Sequence, residues 1–211
     1  MNIKIRHEEE KDYYRVLEIA RDAFWNLYFP GAVEHYVVHK IRNHPDFIKE
    51  LSFVIEVDNT IEGAIFYTKS AIVTKEGKVP TISFGPVFIS PRYHRRGLGK
   101  KLISYSIEQA KKNGYRAILT LGYDYHYAIY GFKSGINYHI SMDDGKYLHG
   151  LLVLPLFENA LNGISGYASF SDVYEVDDQE VEEFDKIFPP KVKEVLPCQK
   201  EYEEACALID E

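Results

Sequence analysis

The sequence has few cysteines and no long apolar run, and each shortage excludes a class of protein. Cys198 and Cys206 are the only cysteines among 211 residues. No further His or Cys residues lie near them in the sequence to complete the ligand set of a zinc site, so we expect free thiols and no metal. The longest apolar run, Leu151 to Phe157, is interrupted by Pro155 and is too short to span a bilayer. The first residues lack an apolar signal segment, so the sequence predicts a cytoplasmic protein without a membrane partner.

Basic residues are also in the minority. The chain has 25 Lys and Arg against 32 Asp and Glu, a net charge of -7. The imbalance is local, because residues 172–211 hold 14 acidic and 4 basic side chains. Binding of nucleic acid needs many Lys and Arg on one face, so the composition argues against a nucleic-acid partner. A small anionic ligand at one local basic site remains compatible with it.

The hydrophobic periodicity predicts strands and helices over most of the chain. Short turns join the apolar runs between Leu51 and Ile89, which is typical of an antiparallel meander. Apolar positions between Gly99 and Asn113 follow the period of a helix, and Gly114 stands where a helix C-cap belongs. The predicted strands are 3–6, 51–57, 61–73, 81–89, 115–121, 138–142 and 149–154, and the predicted helices are 10–24, 33–41 and 99–113.

The acidic C-terminal segment is predicted to fold against this domain. We expect a domain at residues 1–157 and an extension at 158–211 that packs on it. Part of the extension fits an amphipathic helix, and a last short helix is expected near 201–209. The apolar positions that fit one helical face are Val181, Phe184, Ile187 and Phe188.

The densest local signal is the basic, glycine-containing segment SPRYHRRGLGKKL, from Ser90 to Leu102. Gly97 and Gly99 stand at a predicted helix start, where backbone N–H groups can turn toward one point and the helix dipole adds positive charge. The segment therefore suits a phosphate or pyrophosphate, although a solvated basic turn gives the same pattern. A dinucleotide fingerprint would need glycine in place of Leu102, and a nucleotide P-loop would need Ser or Thr in place of Lys101.

Residues 94–99, HRRGLG, resemble the Gln/Arg-x-x-Gly-x-Gly/Ala signature of the GNAT acetyltransferase superfamily. His94 departs from this signature, which has Gln or Arg there. The segment Phe84 to Ile89 is similar to the bulged fourth strand of the family, and Pro86, which lacks an N–H, suits a bulge. Tyr127 to Phe132 resembles the Tyr-x-x-x-Gly-Phe element of the family. The resemblance covers about three quarters of the chain and implies an α+β fold, with a mixed, largely antiparallel sheet flanked by helices.

The resemblance also implies acetyl-CoA as the cosubstrate. The fourth strand would hold the pantetheine arm with its backbone and offer the N–H of Val87 to the developing oxyanion. The basic loop would hold the pyrophosphate. The implied cofactor-binding residues are Val87, Phe88, Ile89, Arg95, Arg96, Gly97, Leu98, Gly99 and Lys100.

The acid and the base of the reaction differ in how well the sequence identifies them. Tyr127 occupies the position of the family's acid, which protonates the departing CoA thiolate; packing against Phe132 is the alternative role. A thiol pKa near ~8.5 and a phenol pKa near ~10 leave only a modest gap for this transfer. Many members of the family use a glutamate on the fourth strand as the base. Here the predicted strand 81–89 holds no carboxylate or histidine. Asp124 and His126 are substitutes, although a polar cluster after a strand is more often a solvated loop.

The aromatic loop Trp25 to Gly31, with His35 and Tyr36, lies where the family usually builds its acceptor site, so the resemblance implies an acceptor site there. Core packing is the alternative role of these aromatic side chains. His35 and His39 are expected to line a helix face near the substrate entrance. The sequence thus predicts an N-acetyltransferase that moves acetyl from acetyl-CoA directly to an amine of a small molecule or peptide. A CoA-binding sensor or interaction module without catalysis is the alternative. A homodimer is compatible with either function.

Overall fold

One mixed sheet runs through the fold, and a computed structural model describes it over residues 1–211. Its strands are β1 (Ile3–His7), β2 (Phe53–Val57), β3 (Thr60–Thr74), β4 (Gly77–Ile89), β5 (Ala117–Leu121), β6 (Lys133–Ser134), β7 (Ile140–Ser141), β8 (Leu151–Pro155) and β9 (Gly166–Ser169). The order across the sheet is β1-β2-β3-β4-β5-β8-β6, with β9 paired to β3 and β7 paired to β9. Most neighbours are antiparallel, whereas β4 with β5 and β7 with β9 are parallel pairs.

Helices cover both faces of this sheet. They are α1 (Tyr13–Phe24), α2 (Glu34–Ile41), α3 (Leu98–Lys112), α4 (Asp124–Tyr127), α5 (Asp178–Asp185) and α6 (Pro197–Cys206). Because neighbouring residues of a strand point to opposite faces, Ile55 of β2 packs with α3 while Val54 packs with α1 and α2. The predicted α+β fold is therefore confirmed. None of the helices combines the length and the apolar character needed to cross a membrane.

The neighbouring strands β4 and β5 diverge and leave a wedge at the centre of the sheet. β4 and β5 pair only at Ile82 with Ile118 and at Ser83 with Leu119. Beyond these pairs β4 continues to Ile89 along β3 alone. A bulge separates the two parts of β4, because two residues, Gly85 and Pro86, stand opposite the single residue Phe66 of β3. The bulge lies where the sequence resemblance predicts one.

The C-terminal segment is built into this structure at several points. β9 extends the sheet beside Ala71 to Val73 of β3. Val181 and Phe188 are buried, and Phe184 packs beside them, but Ile187 is 52% exposed, so its predicted inward direction is wrong. The side chain of Arg21, which is 3% exposed, donates to both carboxylate oxygens of Asp185, at 2.6 and 2.8 Å.

Two secondary-structure predictions near the closing strands need correction. The strand predicted at 138–142 is reduced to Ile140–Ser141, because residues 135–138 form a 3-10 turn that ends at His139 in the left-handed conformation (φ 54°). The last helix begins at Pro197, earlier than predicted, because proline is favoured in the first helical turn where its missing N–H costs nothing.

Candidate active site

A cleft of about 690 Å³ opens beside the β4 bulge. Its apolar lining comes from α1, α2 and the loop between them, from the diverging strands, from Met142 and from the C-terminal segment. The charged residues of its lining are Glu34, Asp143 and Glu175, and no Lys or Arg belongs to it. The aromatic lining residues are Phe24, Tyr28, Phe29, Phe84, Tyr127, Tyr167, Phe170, Tyr174 and Tyr202. The cleft is thus aromatic and anionic, which suits a cation with an apolar body.

The free edge of β4 borders this cleft. Val87, Phe88 and Ile89 pair with Ile65, Ala64 and Gly63 of β3 on one side only. In an antiparallel pair alternate residues point their backbone groups away from the partner strand. The other edge of this segment therefore offers N–H and C=O groups for pairing, apart from the carbonyl of Ile89, which accepts from His94. An extended amide-containing ligand can pair with such an edge.

The loop after β4 presents a group of unpaired backbone donors. Arg95 has φ 59° and Gly97 has φ 80°, which turns the chain sharply into the start of α3. Neither a backbone nor a side-chain acceptor receives the N–H groups at this turn, which are those of Arg95, Gly97, Leu98, Gly99 and Lys100. Converging N–H groups at the start of a 15-residue helix form a site for a phosphate-type anion.

The side chains around this loop divide into fixed and exposed ones. His94 donates from Nε2 to the carbonyl of Ile89 at 2.9 Å and so ties the loop to the end of β4. Arg92 is held by the fully buried carboxylate of Glu62. Arg95, Arg96 and Lys100, by contrast, are exposed and add positive charge around the donors. The His that replaces the family's Gln or Arg therefore has a structural contact of its own.

Tyr127 stands at the side of the wedge opposite the bulge. Its ring packs on Phe84 and Phe132, with centroid distances of 5.5 and 5.7 Å. Gly122 makes room for it, since a Cβ there would lie 2.7 Å from Tyr127 Cε2. Burial raises the pKa of Tyr127 to about 12, so the phenol is protonated at neutral pH and is available as a donor.

Glu34, at the start of α2, is a charged residue of the cleft that the sequence did not predict as a site residue. Its Oε2 accepts the N–H of Val33 at 3.1 Å. Burial raises the pKa of this carboxyl to about 7. The only sequence signal was an acid at the start of a predicted helix, which is also an ordinary capping preference.

Several other predicted site residues lie outside the cleft. Asp124 and His126 are exposed on α4 and do not line it. His35 is fully buried beneath Phe184 and Phe188, so the prediction that it lines the substrate entrance is wrong. Trp25 donates from Nε1 to the carbonyl of Val192 and packs on Arg21, whereas Tyr28 and Phe29 of the same loop do line the cleft.

A second cavity, of about 460 Å³, lies between residues 137–139 and residues 155–165. His139 is its only histidine, and no carboxylate lines it. It is separate from the basic loop and from the β4 edge. The cleft beside the bulge is therefore the better candidate for the chemistry.

Comparison with known proteins identifies the family of this chain. The family model described as Acetyltransferase (GNAT) family matches residues 13–135, more than half of the chain. The protein YhbS of Escherichia coli K12, described as an uncharacterized N-acetyltransferase, is 24% identical over 153 residues, which are 72% of this chain and 89% of that protein.

Solved structures share the fold. The crystal structure of Escherichia coli YhbS in complex with CoA superimposes with a TM-score of 0.73 at 19% identity, over 83% of this chain and 93% of that chain. A GNAT family acetyltransferase from Brucella melitensis, in complex with acetyl-CoA, gives a TM-score of 0.67 at 21% identity, over 82% of this chain and 99% of that chain.

Proposed function

This chain belongs to the GNAT acetyltransferase family, and on that premise we propose that it transfers acetyl from acetyl-CoA directly to an amine. The unpaired N–H groups between Arg95 and Lys100 carry the proposal, because they follow directly on a strand whose other edge is free. A phosphate at the loop would leave the attached arm to run back along Ile89 to Val87. That direction leads to Phe84, on which Tyr127 packs.

The residues present fit acetyl-CoA in their chemistry. Backbone donors and the exposed Arg95, Arg96 and Lys100 suit the pyrophosphate, with Leu98 buried beneath as the anchor of the helix start. The free edge of Val87, Phe88 and Ile89 suits the two amides of the pantetheine arm. The N–H of Val87, next to the bulge, is proposed as the donor to the oxyanion.

Direct transfer agrees with the groups at the cleft. No Cys lines it, because Cys198 donates to the carbonyl of Leu27 and Cys206 is exposed. Ser171 of the lining lies 3.5 Å from His44 Nδ1, but its hydroxyl is buried and accepts the N–H of Val173 as the cap of a 3-10 turn. Tyr127 is proposed to donate its proton to the departing thiolate. Its pKa of about 12 widens the gap to a thiol, but the thiolate departs into the same apolar surroundings, which raise its proton affinity too.

Release of free thiol from acetyl-CoA tests the proposal. The full chain is incubated with acetyl-CoA and a panel of primary amines, and thiol is measured against enzyme without amine and amine without enzyme. We expect thiol release and an acetylated amine in equal amounts. Tight binding of acetyl-CoA without transfer to any amine would instead identify a CoA-binding module.

A further inference from the structure

The acceptor side of the cleft is organised around Glu34, the first residue of α2. The rings of Tyr28 and Tyr202 stack beside it, with centroids 4.2 Å apart. Burial raises the pKa of Tyr28, and the nearby Glu34 and Tyr127 each raise it further. Glu34, Tyr28 and the proposed acid Tyr127 all line the same cleft.

No cation of the protein neutralises this carboxylate. Glu34 is in none of the ion pairs of the chain, and its only hydrogen-bond donors are backbone N–H groups of its own turn. Burial without a positive partner is what raises its pKa to about 7. The titratable side chains that face the cleft with it are Tyr28, Tyr127, Asp143, Tyr167, Tyr174, Glu175 and Tyr202.

We propose that Glu34 binds the ammonium group of the acceptor and acts as the general base that removes its proton. This inference rests on the proposed acetyl transfer and supplies the base that β4 lacks. This carboxylate has no cationic partner in the protein and lies among tyrosine rings. It can bind an external ammonium ion through an ion pair, and the rings add cation–π contacts. The acceptor class is therefore a primary amine, cationic in solution, on an apolar body without a carboxylate.

The protons of the reaction balance with these residues. The ammonium group gives one proton to Glu34, and the free amine attacks the thioester carbon as the C–S bond breaks. Tyr127 protonates the sulfur, and the second proton of the nitrogen returns to the Tyr127 oxygen, directly or through water. The products are an N-acetyl amide and CoA thiol, and Glu34 releases one proton to solvent.

The dependence of kcat/KM on pH tests this role. With Glu34 as base, kcat/KM of the wild type for 2-phenylethylamine should rise up to about pH 7. Above this break it should stay level until the amine itself titrates, near ~10 for an alkyl amine. In Glu34→Gln, kcat/KM should be about 100-fold or more lower at pH 7.5 and should rise steadily to about pH 10 without a break near pH 7. Glu34→Asp should recover part of the rate and keep a break.

Matched controls separate this role from a general loss of charge or of structure. Glu203→Gln removes an exposed carboxylate from α6, the helix that carries Tyr202, and should leave rate and profile unchanged. Calorimetry should give the same acetyl-CoA affinity for Glu34→Gln as for the wild type. If Glu34→Gln does not fold, the break in the wild type and its displacement in Glu34→Asp decide the question.

A pair of acceptors tests the substrate class. Phenylalanine equals 2-phenylethylamine with an added carboxylate, which would enter a cleft lined only by acidic charges. We expect at least ~10-fold lower kcat/KM for phenylalanine, since like charges in contact cost several kcal/mol. Equal use of the two, or a Glu34→Gln profile that matches the wild type while transfer persists, overturns the inference and leaves acetyl transfer standing. Absence of transfer by the wild type overturns both.

Discussion

At the scale of single residues, the hydroxyl of Tyr127 is the group whose removal separates catalysis from packing. Tyr127→Phe keeps the ring on Phe84 and Phe132 and removes only the proton donor. We expect kcat to fall by ~100-fold or more with nearly unchanged acetyl-CoA affinity, because the phenol acts on the leaving thiolate and not on the bound thioester. Steady-state thiol release and calorimetry measure the two quantities.

The neighbouring Tyr125 provides the control for this change. It is 63% exposed and outside the cleft, so Tyr125→Phe should behave as the wild type. A Tyr127→Phe enzyme with full activity would exclude Tyr127 as the acid and leave it the packing role.

A second prediction compares Gly97 with Gly114, because these two glycines have similar backbone conformations at opposite ends of α3. Gly97 (φ 80°) precedes α3 and Gly114 (φ 77°) follows it, and a Cβ at either position would meet nothing within 4 Å. Gly97→Val and Gly114→Val should therefore lose similar stability, of the order of 1–2 kcal/mol, from the left-handed backbone alone. Only Gly97→Val should also weaken acetyl-CoA binding, by about 10-fold or more.

Calorimetry with acetyl-CoA and urea unfolding of both variants make this comparison. Unchanged affinity in Gly97→Val would move the phosphate site away from this loop. Equal loss of affinity in both variants would attribute the effect to a general disturbance of α3.

The loop and the tyrosine could be predicted from the sequence because each belongs to a contiguous pattern. Gly97 and Gly99 are two residues apart, and Tyr127 lies five residues before Phe132. Glu34 could not be found in this way. Its importance comes from Tyr202, far away in the chain, and from the lack of any cation in a cleft that exists only after folding.

At the scale of elements, the β4 bulge is fixed from outside by Tyr174. Its hydroxyl lies 3.2 Å from the carbonyl oxygen of Gly85, to which it donates, and 2.9 Å from the Thr68 hydroxyl. Thr68 in turn contacts Ser83 at 3.1 Å. A residue of the C-terminal segment therefore satisfies a backbone group that the bulge removes from the sheet ladder.

Tyr174→Phe is expected to destabilise the protein by about 1 kcal/mol, because it removes the hydrogen-bond donor of a half-buried carbonyl. Tyr14→Phe is the matched control, since Tyr14 is 50% exposed and stacks on Phe188 without a hydrogen bond to its hydroxyl. Urea unfolding of both variants gives the comparison. Equal stability of Tyr174→Phe and the wild type would show that the bulge holds its shape without the contact.

The elements themselves were predictable where their pattern is local. The meander and α3 follow from periods of two and 3.6 residues within one stretch of sequence. β9 was missed, since the four residues Gly-Tyr-Ala-Ser at 166–169 have a weak strand pattern. Pairing with β3 makes this segment a strand. A Cβ on Gly166 would come 2.0 Å from the carbonyl oxygen of Val73, so the close approach of the two strands depends on glycine.

At the scale of the whole molecule, the acidic C-terminal segment and the positively charged remainder are joined by specific pairs. Arg21 binds Asp185, Lys191 binds Asp22, and Lys40 donates to the carbonyl of Glu175 at 2.8 Å. The surface pairs among these contribute little each, whereas the pair at Arg21 is largely buried. The segment thus covers α1 and α2 while it supplies Tyr174 and Tyr202 to the cleft.

His35 makes the stability of this arrangement depend on pH. It is fully buried, and neither ring nitrogen makes an aligned hydrogen bond, although Nε2 lies 3.0 Å from an oxygen of Asp185. Burial lowers its pKa from 6.5 to about 4, against the opposing attraction of Asp185. The unfolded chain therefore binds this proton more readily than the folded protein, and stability falls as the pH drops from about 6.5 to about 4.

The difference between these two pKa values corresponds to a loss of about 3 kcal/mol once the pH is below both. Urea unfolding between pH 8 and pH 4 measures it in the wild type and in His35→Phe, whose ring suits the surrounding Phe184 and Phe188. Relative to the wild type, His35→Phe should gain stability steadily below pH 6.5. His139→Asn, which removes an exposed imidazole, should follow the wild type. A constant difference between wild type and His35→Phe across this range would contradict the assignment, because a packing change alone does not depend on pH.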